Sequence, residues 1–554
     1  MPQITTIEVT QDSFFIYSSH FDRKWVDATK TLPVRTWNRP RWIVPRHAAT
    51  LEQLQTLYSP FGRVMVSKSI VPAITAGMIT QKYPFLYPFQ VKAAAQAASS
   101  GRLLFAHDLG TGKTLSTFAA ALEIINNDST VKSILVICPA SIQLQWQREI
   151  TRWYRKPSVI VKGDRARRQK VWDLAAPGVV KIISYESFRQ SGFILDDTTV
   201  VIADELSKIK NKSKIHKVFA DLGKTIKYRI GATGTPASGR LEHYKNIMDF
   251  IQPSWMTYDF FDKNYTIKNM VTIRGGAQRL VTVGYRNTED FVRRLDGFVD
   301  RVTKADAAPN LPPLTFEWRT VEMTSAQHRL VDELMEYAKK KGNGILPVWQ
   351  LLHTCADGTQ VTHESQSEIL LELPMSEIPV EESPKLKEIA DILDEIGDEK
   401  VIIFSQFSRF ARRIQVYLNK RASKDIASLV TGESSVEKRN DIITEFRTSP
   451  AIQYLVATDC LAMGISLSEI NYELQTDLPA DISVFLQRAG RVHRLDSRDP
   501  KVVISLVSEG LEQDIQEILE EKASLNEQLL EKTFDPSTIR RKIEEKYGFR
   551  SADQ

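Results

Sequence analysis

The chain has 554 residues, of which 42% are hydrophobic and 25% are charged, a composition typical of folded globular proteins. No apolar run is long enough to span a membrane, and three scattered cysteines exclude a disulfide framework and a zinc site. The first residues show no secretory signal, so these features together predict a cytoplasmic protein of about three domains.

The net charge of +5 is concentrated near the start of the chain. Residues 1–100 contain 11 Lys or Arg against 5 Asp or Glu, which predicts a polyanionic partner for this segment. Aromatic and basic residues alternate within it, and this pattern has two interpretations. One is a DNA-contacting surface, and the other is a small α+β domain with core aromatics and solvated bases. The residues are Trp25, Arg35, Trp37, Arg39, Arg41 and Trp42.

The predicted elements change in character along the chain. Short strands at 14–17, 42–44 and 64–66 and one helix at 50–58 form the N-terminal domain. Strand-helix alternation follows, and strands that are apolar on both faces predict buried parallel sheets. Those of a first block lie at 103–106, 133–138, 179–183, 199–203 and 228–232, and those of a second block at 401–404, 452–457, 471–475 and 501–507.

The predicted fold is therefore α/β, with two tandem parallel-sheet lobes, a small N-terminal α+β domain and an inter-lobe insertion. Within the insertion, residues 271–283 predict a hairpin with a turn at Gly275-Gly276. This hairpin is either a pin that meets duplex DNA or a scaffold that braces the first lobe. The predicted domains are 1–80 (basic N-terminal), 81–255 (first lobe), 256–383 (insertion and linker), 384–510 (second lobe) and 511–554 (helical tail).

A phosphate-binding loop is predicted between the apolar run 103–106 and a helical stretch at 117–125. Glycines at 110 and 112 let the backbone close around phosphates, and the helix N-terminus presents free N–H groups. Lys113 can reach the β- and γ-phosphates, and the Thr114 hydroxyl can bind Mg²⁺. The sequence therefore predicts ATP and Mg²⁺ as cofactors, held by a loop that contains Leu109, Gly110, Thr111, Gly112, Lys113 and Thr114.

An acidic pair, Asp204-Glu205, ends the apolar run 200–203. At the end of a buried strand, the first carboxylate can hold Mg²⁺ and the second can orient the attacking water. The alternative is a strand-end pair that faces solvent. The motif is more informative in combination, because other motifs follow it in a fixed order at the ends of strands.

A cluster of basic and polar residues near the end of the second lobe completes this order. Gln487, Arg491 and Arg494 lie at helical spacing, so we expect them to share one helix face. Arginines there could stabilise charge that develops on a γ-phosphate, or they could simply face solvent. The motifs between the acidic pair and this cluster are Ala232-Thr233-Gly234-Thr235-Pro236, Phe404-Ser405-Gln406 and Ala457-Thr458-Asp459.

On these motifs, residues 85–510 resemble the superfamily-two helicases, and among them the Swi/Snf-type double-stranded DNA translocases. The resemblance implies that the two tandem parallel-sheet lobes are RecA-like. The resemblance implies that Gln90 of Tyr87-Pro88-Phe89-Gln90 reads adenine and that Gly464 lies near the nucleotide. It also implies that Thr233, Gln406 and Thr458 contact nucleic acid. Arg301-x-x-Lys304 and Leu311-Pro312-Pro313 are similar to the group's link between lobes. His107-Asp108 stands where the group has Asp-Glu, and Ser207 stands where its acidic box has His.

Residues 32–45 resemble the HARP domain of annealing helicases, through the pattern Leu-Pro-x-Arg-x-Trp followed by Trp-x-x-Pro. This resemblance implies that Arg35, Trp37, Arg39 and Arg41 bind DNA. It also implies roles in strand annealing, branch migration or fork remodelling during recombination and repair.

The sequence thus predicts a monomeric, DNA-dependent ATPase that translocates on duplex or branched DNA with little sequence preference. No membrane partner is predicted for it. The sequence fits a compact bacterial or viral enzyme better than a nucleosome remodeller. Two alternatives stay open. The first is a helicase that separates DNA or RNA strands, and the second is a nucleotide-gated clamp that grips duplex DNA with little turnover.

Overall fold

The computed structural model describes the chain except for short gaps, the segment 342–382 and most of the C-terminal tail. The described residues are 3–9, 13–18, 22–32, 35–38, 41–45, 49, 51–68, 74–234, 236, 240–253, 255–272, 278–341, 383–461, 465–479, 482–510, 512, 513 and 516. They divide into two compact units, the first containing most of the chain up to Thr303 and the second most of the chain from Lys304 onwards. No described helix is both long and apolar enough to cross a lipid bilayer.

The N-terminal part of the first unit is a five-stranded sheet with two helices, where the sequence predicted only one. A core of Ile7, Ile16, Val44, Leu54 and Tyr58 fills the space between the sheet and helices. The strand order is β3-β4-β2-β1-β5, in which only the β1–β5 pair is parallel. The elements are β1 Gln3–Val9, β2 Ser13–Ser18, α1 Arg23–Thr29, β3 Thr36–Asn38, β4 Arg41–Pro45, α2 Leu51–Tyr58, a 3₁₀ turn Ser59–Phe61 and β5 Gly62–Lys68.

The rest of the first unit is built on a seven-stranded parallel sheet in the order β14-β6-β11-β10-β7-β9-β8. Its strands are β6 Arg102–His107, β7 Ser133–Cys138, β8 Ser158–Val161, β9 Val180–Ser184, β10 Thr199–Asp204, β11 Tyr228–Ala232 and β14 Val299–Val302. All five strands predicted for the first block are confirmed, whereas β8 and β14 had not been predicted.

Helices connect these strands and cover the sheet. They are α3 Ala76–Lys82, α4 Pro88–Ser100, α5 Lys113–Asn127, α6 Gln143–Glu149, α7 Arg165–Leu174, α8 Tyr185–Ser191, α9 Lys214–Thr225, α10 Leu241–Ile251, α11 Tyr258–Tyr265 and α12 Thr288–Leu295. Two 3₁₀ turns, Ala140–Ile142 and Leu206–Ile209, and a π-helix, Ile150–Tyr154, complete them. The predicted hairpin is confirmed as the two-stranded sheet of β12 Thr266–Thr272 and β13 Gln278–Tyr285, whose tip lies outside the described residues.

The second unit contains a six-stranded parallel sheet in the order β15-β20-β19-β16-β18-β17. Its strands are β15 Leu314–Val321, β16 Val401–Phe404, β17 Ala427–Val430, β18 Tyr454–Ala457, β19 Tyr472–Gln475 and β20 Lys501–Ser508. Its helices are α13 Lys304–Ala307, α14 Ser325–Lys341, α15 Pro384–Ile396, α16 Ser408–Ala422, α17 Val436–Thr448 and α18 Ile482–Val492, with a 3₁₀ turn Asp459–Leu461.

The two parallel-sheet lobes predicted from the sequence are confirmed. The segment predicted as an insertion contributes to both of them, because β14 is an edge strand of the first sheet and β15 is an edge strand of the second. The acidic stretch 364–383 lies outside the described residues except for Ser383, and so does most of the predicted helical tail. In parallel sheets the carboxyl ends of the strands lie at one edge, which is where each lobe carries its motifs.

Candidate nucleotide site and associated motifs

The loop from Asp108 to Gly112 connects the end of β6 to the start of α5, whose first residue is Lys113. Gly110 and Gly112 have φ angles of +84° and +74°, a region that favours glycine. A Cβ atom at Gly112 would lie 2.5 Å from Nε2 of Gln90, so a side chain cannot be added without moving that residue. The loop is therefore a tight backbone cradle at a helix N-terminus, which is a geometry suited to phosphate.

Lys113 is buried, and its ammonium group donates to the main-chain oxygens of His107 (2.9 Å) and Asp108 (3.0 Å). Burial lowers the pKa of Lys113, while the negative charges of Glu205, Asp204 and Asp108 oppose this shift. A buried cation at the mouth of the loop can exchange its carbonyl partners for phosphate oxygens. This placement agrees with the role predicted for Lys113, which stays a prediction.

Asp204 is the last residue of β10, and its carboxylate is buried and bonded on both oxygens. Its Oδ2 accepts from Nε1 of Trp146 (2.8 Å), and its Oδ1 accepts from the main-chain N–H of Glu205 (2.9 Å). Burial raises the pKa of Asp204, whereas the Trp146 hydrogen bond and the charge of Lys113 counteract that rise. The alternative of a solvent-facing pair does not hold for Asp204.

Glu205 follows in a left-handed backbone conformation with φ of +52°, which is uncommon for a residue with a side chain. The 3₁₀ turn Leu206–Ile209 begins directly after it. Such strained positions persist where the surrounding structure fixes them, and they cluster at functional sites. The conformation turns the chain sharply after Asp204, so the two neighbouring carboxylates do not simply alternate as they would along a strand.

The donor set near the loop fits a magnesium nucleotide. Thr114, the second residue of α5, is half-buried and offers a hydroxyl, and Asp204 offers a carboxylate. Hydroxyl and carboxylate oxygens are ligands that suit Mg²⁺, and the backbone cradle at Gly112 suits the phosphates. Thr111 is buried within the same loop, which also contains Leu109.

Gln90, the predicted adenine reader, is buried and bonded within the protein. Its Oε1 accepts from the main-chain N–H of Tyr87 (2.9 Å), which caps helix α4, and its Nε2 donates to the main-chain oxygen of Gly112 (3.3 Å). The structure therefore places this side chain against the phosphate loop. Adenine recognition by Gln90 stays a prediction.

Strand β14 provides partners for His107, at the end of β6, and for Asp108, at the start of the loop. Asp300 Oδ2 lies 2.7 Å from Nε2 of the fully buried His107, and Arg301 pairs with Asp108 (2.7 Å) and donates to the main-chain oxygen of Ala106 (2.6 Å). Burial lowers the pKa of His107, and Asp300 opposes the shift. Neither Trp146 nor Asp300 was predicted as part of the site, because both are distant in sequence from the motifs they support.

The Thr-Gly-Thr-Pro motif follows β11 in the first lobe. Thr233 is fully buried, and its main-chain N–H donates to the oxygen of Phe105 (3.0 Å). Thr235 lies outside the described residues. The predicted nucleic-acid contact of Thr233 stays a prediction.

In the second lobe, the predicted helix face holds for Gln487 and Arg491 but is wrong for Arg494. Helix α18 ends at Val492, so Arg494 lies two residues beyond it, where its Nε donates to the oxygen of Gly490 (3.3 Å). Arg491 is buried and donates to the oxygens of Gln487 (3.1 Å) and Ile465 (3.0 Å). A solvent-facing position is thus excluded for Arg491, whose catalytic role stays a prediction.

Arg488, which the sequence did not single out, is fully buried and ties the second lobe's motifs together. Its guanidinium bonds Asp459 (2.7 Å) and Asp477 (3.1 Å), and Asp477 accepts from the Ser405 hydroxyl (2.8 Å) and the main-chain N–H of Gln406 (2.9 Å). Two carboxylates around one buried guanidinium compensate its desolvation. The network explains why these motifs lie together.

The remaining second-lobe predictions are only partly described. Thr458 is buried at the end of β18, with its hydroxyl 3.3 Å from Sγ of Cys460. Gln406 is half-buried in the loop after β16. Gly464 lies outside the described residues.

The alternating aromatic and basic residues of the N-terminal segment are described in part. Trp25 is a core residue, because its Nε1 donates to Thr5 (3.0 Å) and its ring packs 5.3 Å from that of Tyr58. Arg35 donates to the main-chain oxygen of Leu32. Positions 37 and 41 lie in the β3–β4 hairpin, and their side chains and all of Arg39 lie outside the described part.

Comparison with known proteins identifies the family to which this chain belongs. Residues 41–370 match the model of the SNF2-related domain, and residues 384–496 match that of the helicase conserved C-terminal domain. The chain belongs to the SNF2-related family. This membership confirms the predicted DNA-dependent ATPase class and the resemblance to Swi/Snf-type helicases.

Individual relatives are distant. An uncharacterized ATP-dependent helicase of Bacillus subtilis is 23% identical over 80% of this chain and 79% of its own length. A DNA repair and recombination protein of Saccharomyces cerevisiae, RDH54, is 22% identical over 79% of this chain and 52% of its own. A chromodomain-helicase-DNA-binding protein 1-like of Danio rerio is 24% identical, and this chain spans only 39% of it.

Among solved structures, the Sulfolobus solfataricus SWI2/SNF2 ATPase core in complex with double-stranded DNA is 23% identical. The match covers 83% of this chain and 94% of that one, with a TM-score of 0.37.

Proposed function

We propose that this SNF2-related ATPase is a DNA translocase that remodels branched DNA by annealing, branch migration or fork regression. The observation that carries the proposal is the first-lobe site, where the buried Lys113 lies in the field of Asp204 and Glu205 at the mouth of a glycine-rich loop. A nucleotide-gated clamp with little turnover would not need a metal-binding carboxylate, a water-orienting carboxylate and a phosphate-binding lysine together.

In the proposed reaction, Lys113 holds the β- and γ-phosphates, and Thr114 and Asp204 hold Mg²⁺. The metal supplies positive charge that offsets charge developing on the phosphates. Glu205, whose backbone has an uncommon left-handed conformation, orients the attacking water. Arg491 and Arg494 of the second lobe, next to Gln487, stabilise the transferred phosphoryl group.

The first test concerns catalysis. We expect Lys113→Ala to lose nucleotide binding and hydrolysis, and Glu205→Gln to keep nucleotide binding but lose turnover. Steady-state ATP hydrolysis and fluorescent nucleotide titration measure the two effects. The matched controls are Lys156→Ala and Glu186→Gln, which change exposed residues of the same lobe. Normal turnover in Glu205→Gln would refute its assigned role.

The second test concerns the nucleic acid. We expect hydrolysis to rise most with duplex or forked DNA, and less with single-stranded DNA or RNA. Because the protein is proposed to hold DNA by its phosphates, its affinity for DNA should also fall steeply as the salt concentration increases. Stimulation by single strands together with displacement of a labelled strand would favour the strand-separating helicase instead. The DNA repair and recombination relative in yeast supports a role in recombination or repair.

The HARP resemblance of residues 32–45 adds a proposed DNA contact through Arg35, Trp37, Arg39 and Arg41. Positive charge and aromatic rings suit phosphate contact and base stacking. An Arg39→Gln/Arg41→Gln variant should bind forked DNA more weakly, with a shallower salt slope, and should keep stimulated hydrolysis. If a Lys156→Gln/Lys170→Gln control, which also removes two exposed positive charges, weakens binding equally, the effect is only one of net charge.

The β12–β13 hairpin is the proposed pin that meets the duplex. It exposes three large apolar side chains, Ile267, Met270 and Leu280, at 45%, 57% and 53%. Apolar side chains can insert between base steps of a distorted duplex, and this supports the pin over the scaffold. Shortening residues 273–279 to an Asn-Gly turn should abolish branch migration and leave stimulated hydrolysis intact. Full remodelling in that variant would favour the scaffold.

A further inference from the structure

One continuous segment of the first lobe forms hydrogen bonds at two separate places in the proposed nucleotide site. It consists of helix α6, Gln143–Glu149, which continues directly into the π-helix Ile150–Tyr154. A π-helix is rare and occurs mostly as a single turn at functional sites. The segment follows strand β7 through the 3₁₀ turn Ala140–Ile142, and none of the motifs discussed above includes it.

The first contact is made by Trp146, which is 1% exposed. Its indole N–H donates to Oδ2 of Asp204 (2.8 Å), and indole is a donor only, so the direction of this bond is certain. Tyr185 fixes the same residue by donating its hydroxyl to the main-chain oxygen of Asp204 (2.8 Å). With Oδ1 bonded to the main chain of Glu205, the carboxylate has one defined orientation.

The second contact is made by Tyr154, at the end of the π-helix. Its hydroxyl donates to the main-chain oxygen of Leu115 (2.5 Å), in the first turn of helix α5 and next to Thr114. Its ring packs edge-on against Phe118 of the same helix, with centroids 4.8 Å apart. Burial raises the pKa of Tyr154, so the hydroxyl keeps its proton and stays a donor.

We propose that Trp146 and Tyr154 are positioning residues that set the separation and orientation of the two magnesium ligands, Asp204 and Thr114. One continuous helical segment donates a hydrogen bond to the Asp204 carboxylate through Trp146 and another to the helix of Thr114 through Tyr154. Hydrogen bonds from outside the metal's own ligands commonly orient those ligands. The inference rests on the proposed roles of Asp204 and Thr114, and its experiment separates the two.

The test measures how strongly Mg²⁺ increases the affinity of the full-length protein for a fluorescent ADP, as the ratio of dissociation constants in EDTA and in excess Mg²⁺. Trp146→Phe removes one hydrogen bond together with part of the buried ring, and Tyr154→Phe removes the other hydrogen bond with little change in volume. Each should lower the ratio by about 10- to 100-fold, the usual effect of such partners on metal affinity. Affinity in EDTA should stay unchanged.

The matched control is Trp153→Phe. Trp153 lies in the same π-helix but packs its ring against Phe85, with centroids 5.0 Å apart. A structural effect of disturbing the segment would lower the ratio in the control as well, and this outcome would overturn the proposal. Far-UV circular dichroism and melting confirm that each variant is folded. If Trp146→Phe does not fold, the ratio measured for the nearly isosteric Tyr154→Phe still tests the proposal.

A double-mutant comparison separates positioning from general damage. Asp204→Asn should itself abolish the Mg²⁺ dependence, and adding Trp146→Phe to it should change nothing further. A ratio unaltered by Asp204→Asn refutes the proposed metal role of Asp204. A ratio altered by Asp204→Asn but unaltered by both Phe variants refutes only the positioning role.

Discussion

Glu473 is a buried carboxyl whose ionisation should govern how the stability of the second lobe depends on pH. It lies in β19, a central strand of the six-stranded sheet, and is fully buried. Its Oε1 accepts from Gln475 (2.8 Å), whereas its Oε2 has no hydrogen-bond partner among the described residues. Burial raises the pKa of Glu473 from 4.5 to about 8, against the lowering effects of the Gln475 hydrogen bond and of Arg488.

The magnitude follows from the difference between the folded and unfolded pKa values. Because the folded pKa is raised, the folded state binds the proton more tightly, and its stability is greatest below pH 4.5 and falls as pH rises towards 8. At about 1.4 kcal/mol per unit of pKa, the loss is about 3 kcal/mol at pH 7 and about 5 kcal/mol above pH 8. Glu473→Gln keeps the shape and cannot ionise, so it should remove this loss.

The assay is urea unfolding followed by far-UV circular dichroism between pH 4.5 and 8.5. A chain with two lobes need not unfold in one step, so the relevant transition is the one whose midpoint moves in Glu473→Gln. The variant should match the unmodified protein near pH 4.5 and exceed it in stability near pH 8. If Glu473 is instead ionised and paired with Arg488, the variant is less stable at pH 8, and the reasoning is refuted.

Three further predictions concern other contacts. Lys385→Met removes the lysine that pairs with the buried carboxylate of Glu512, so the free energy of unfolding should fall by about 3–5 kcal/mol in urea titrations. An unchanged value would show that the pair is dispensable. Asp300→Ala removes the carboxylate partner of His107 and should weaken ADP binding about ten-fold in fluorescence titrations. Unchanged binding would show that the phosphate loop does not depend on β14. Arg491→Ala should reduce turnover by about 10³-fold or more while nucleotide affinity changes modestly, and normal turnover would show that this buried arginine is only structural.

The sequence by itself determined the parts of this protein that depend on local pattern. Apolar strands alternating with helices predicted two parallel-sheet lobes, because strands buried on both faces have no other stable environment. The loop at Gly110 and Gly112 and the acidic pair at Asp204 were readable for the same reason, since turn geometry and strand ends are encoded by neighbouring residues. The pairing of two strands around 271–283 was also predicted correctly, while the predicted turn at Gly275-Gly276 lies outside the described residues.

Only the tertiary structure decided which distant residues support the motifs. Trp146 bonds Asp204 across 58 positions and Asp300 bonds His107 across 193, and neither pairing leaves a periodic signal in the sequence. Arg488 has no sequence feature that distinguishes it from other helical residues, and only the tertiary packing places it, buried, between two carboxylates. Such contacts depend on the order in which strands assemble into sheets, and this order is set by long-range packing rather than by any local preference.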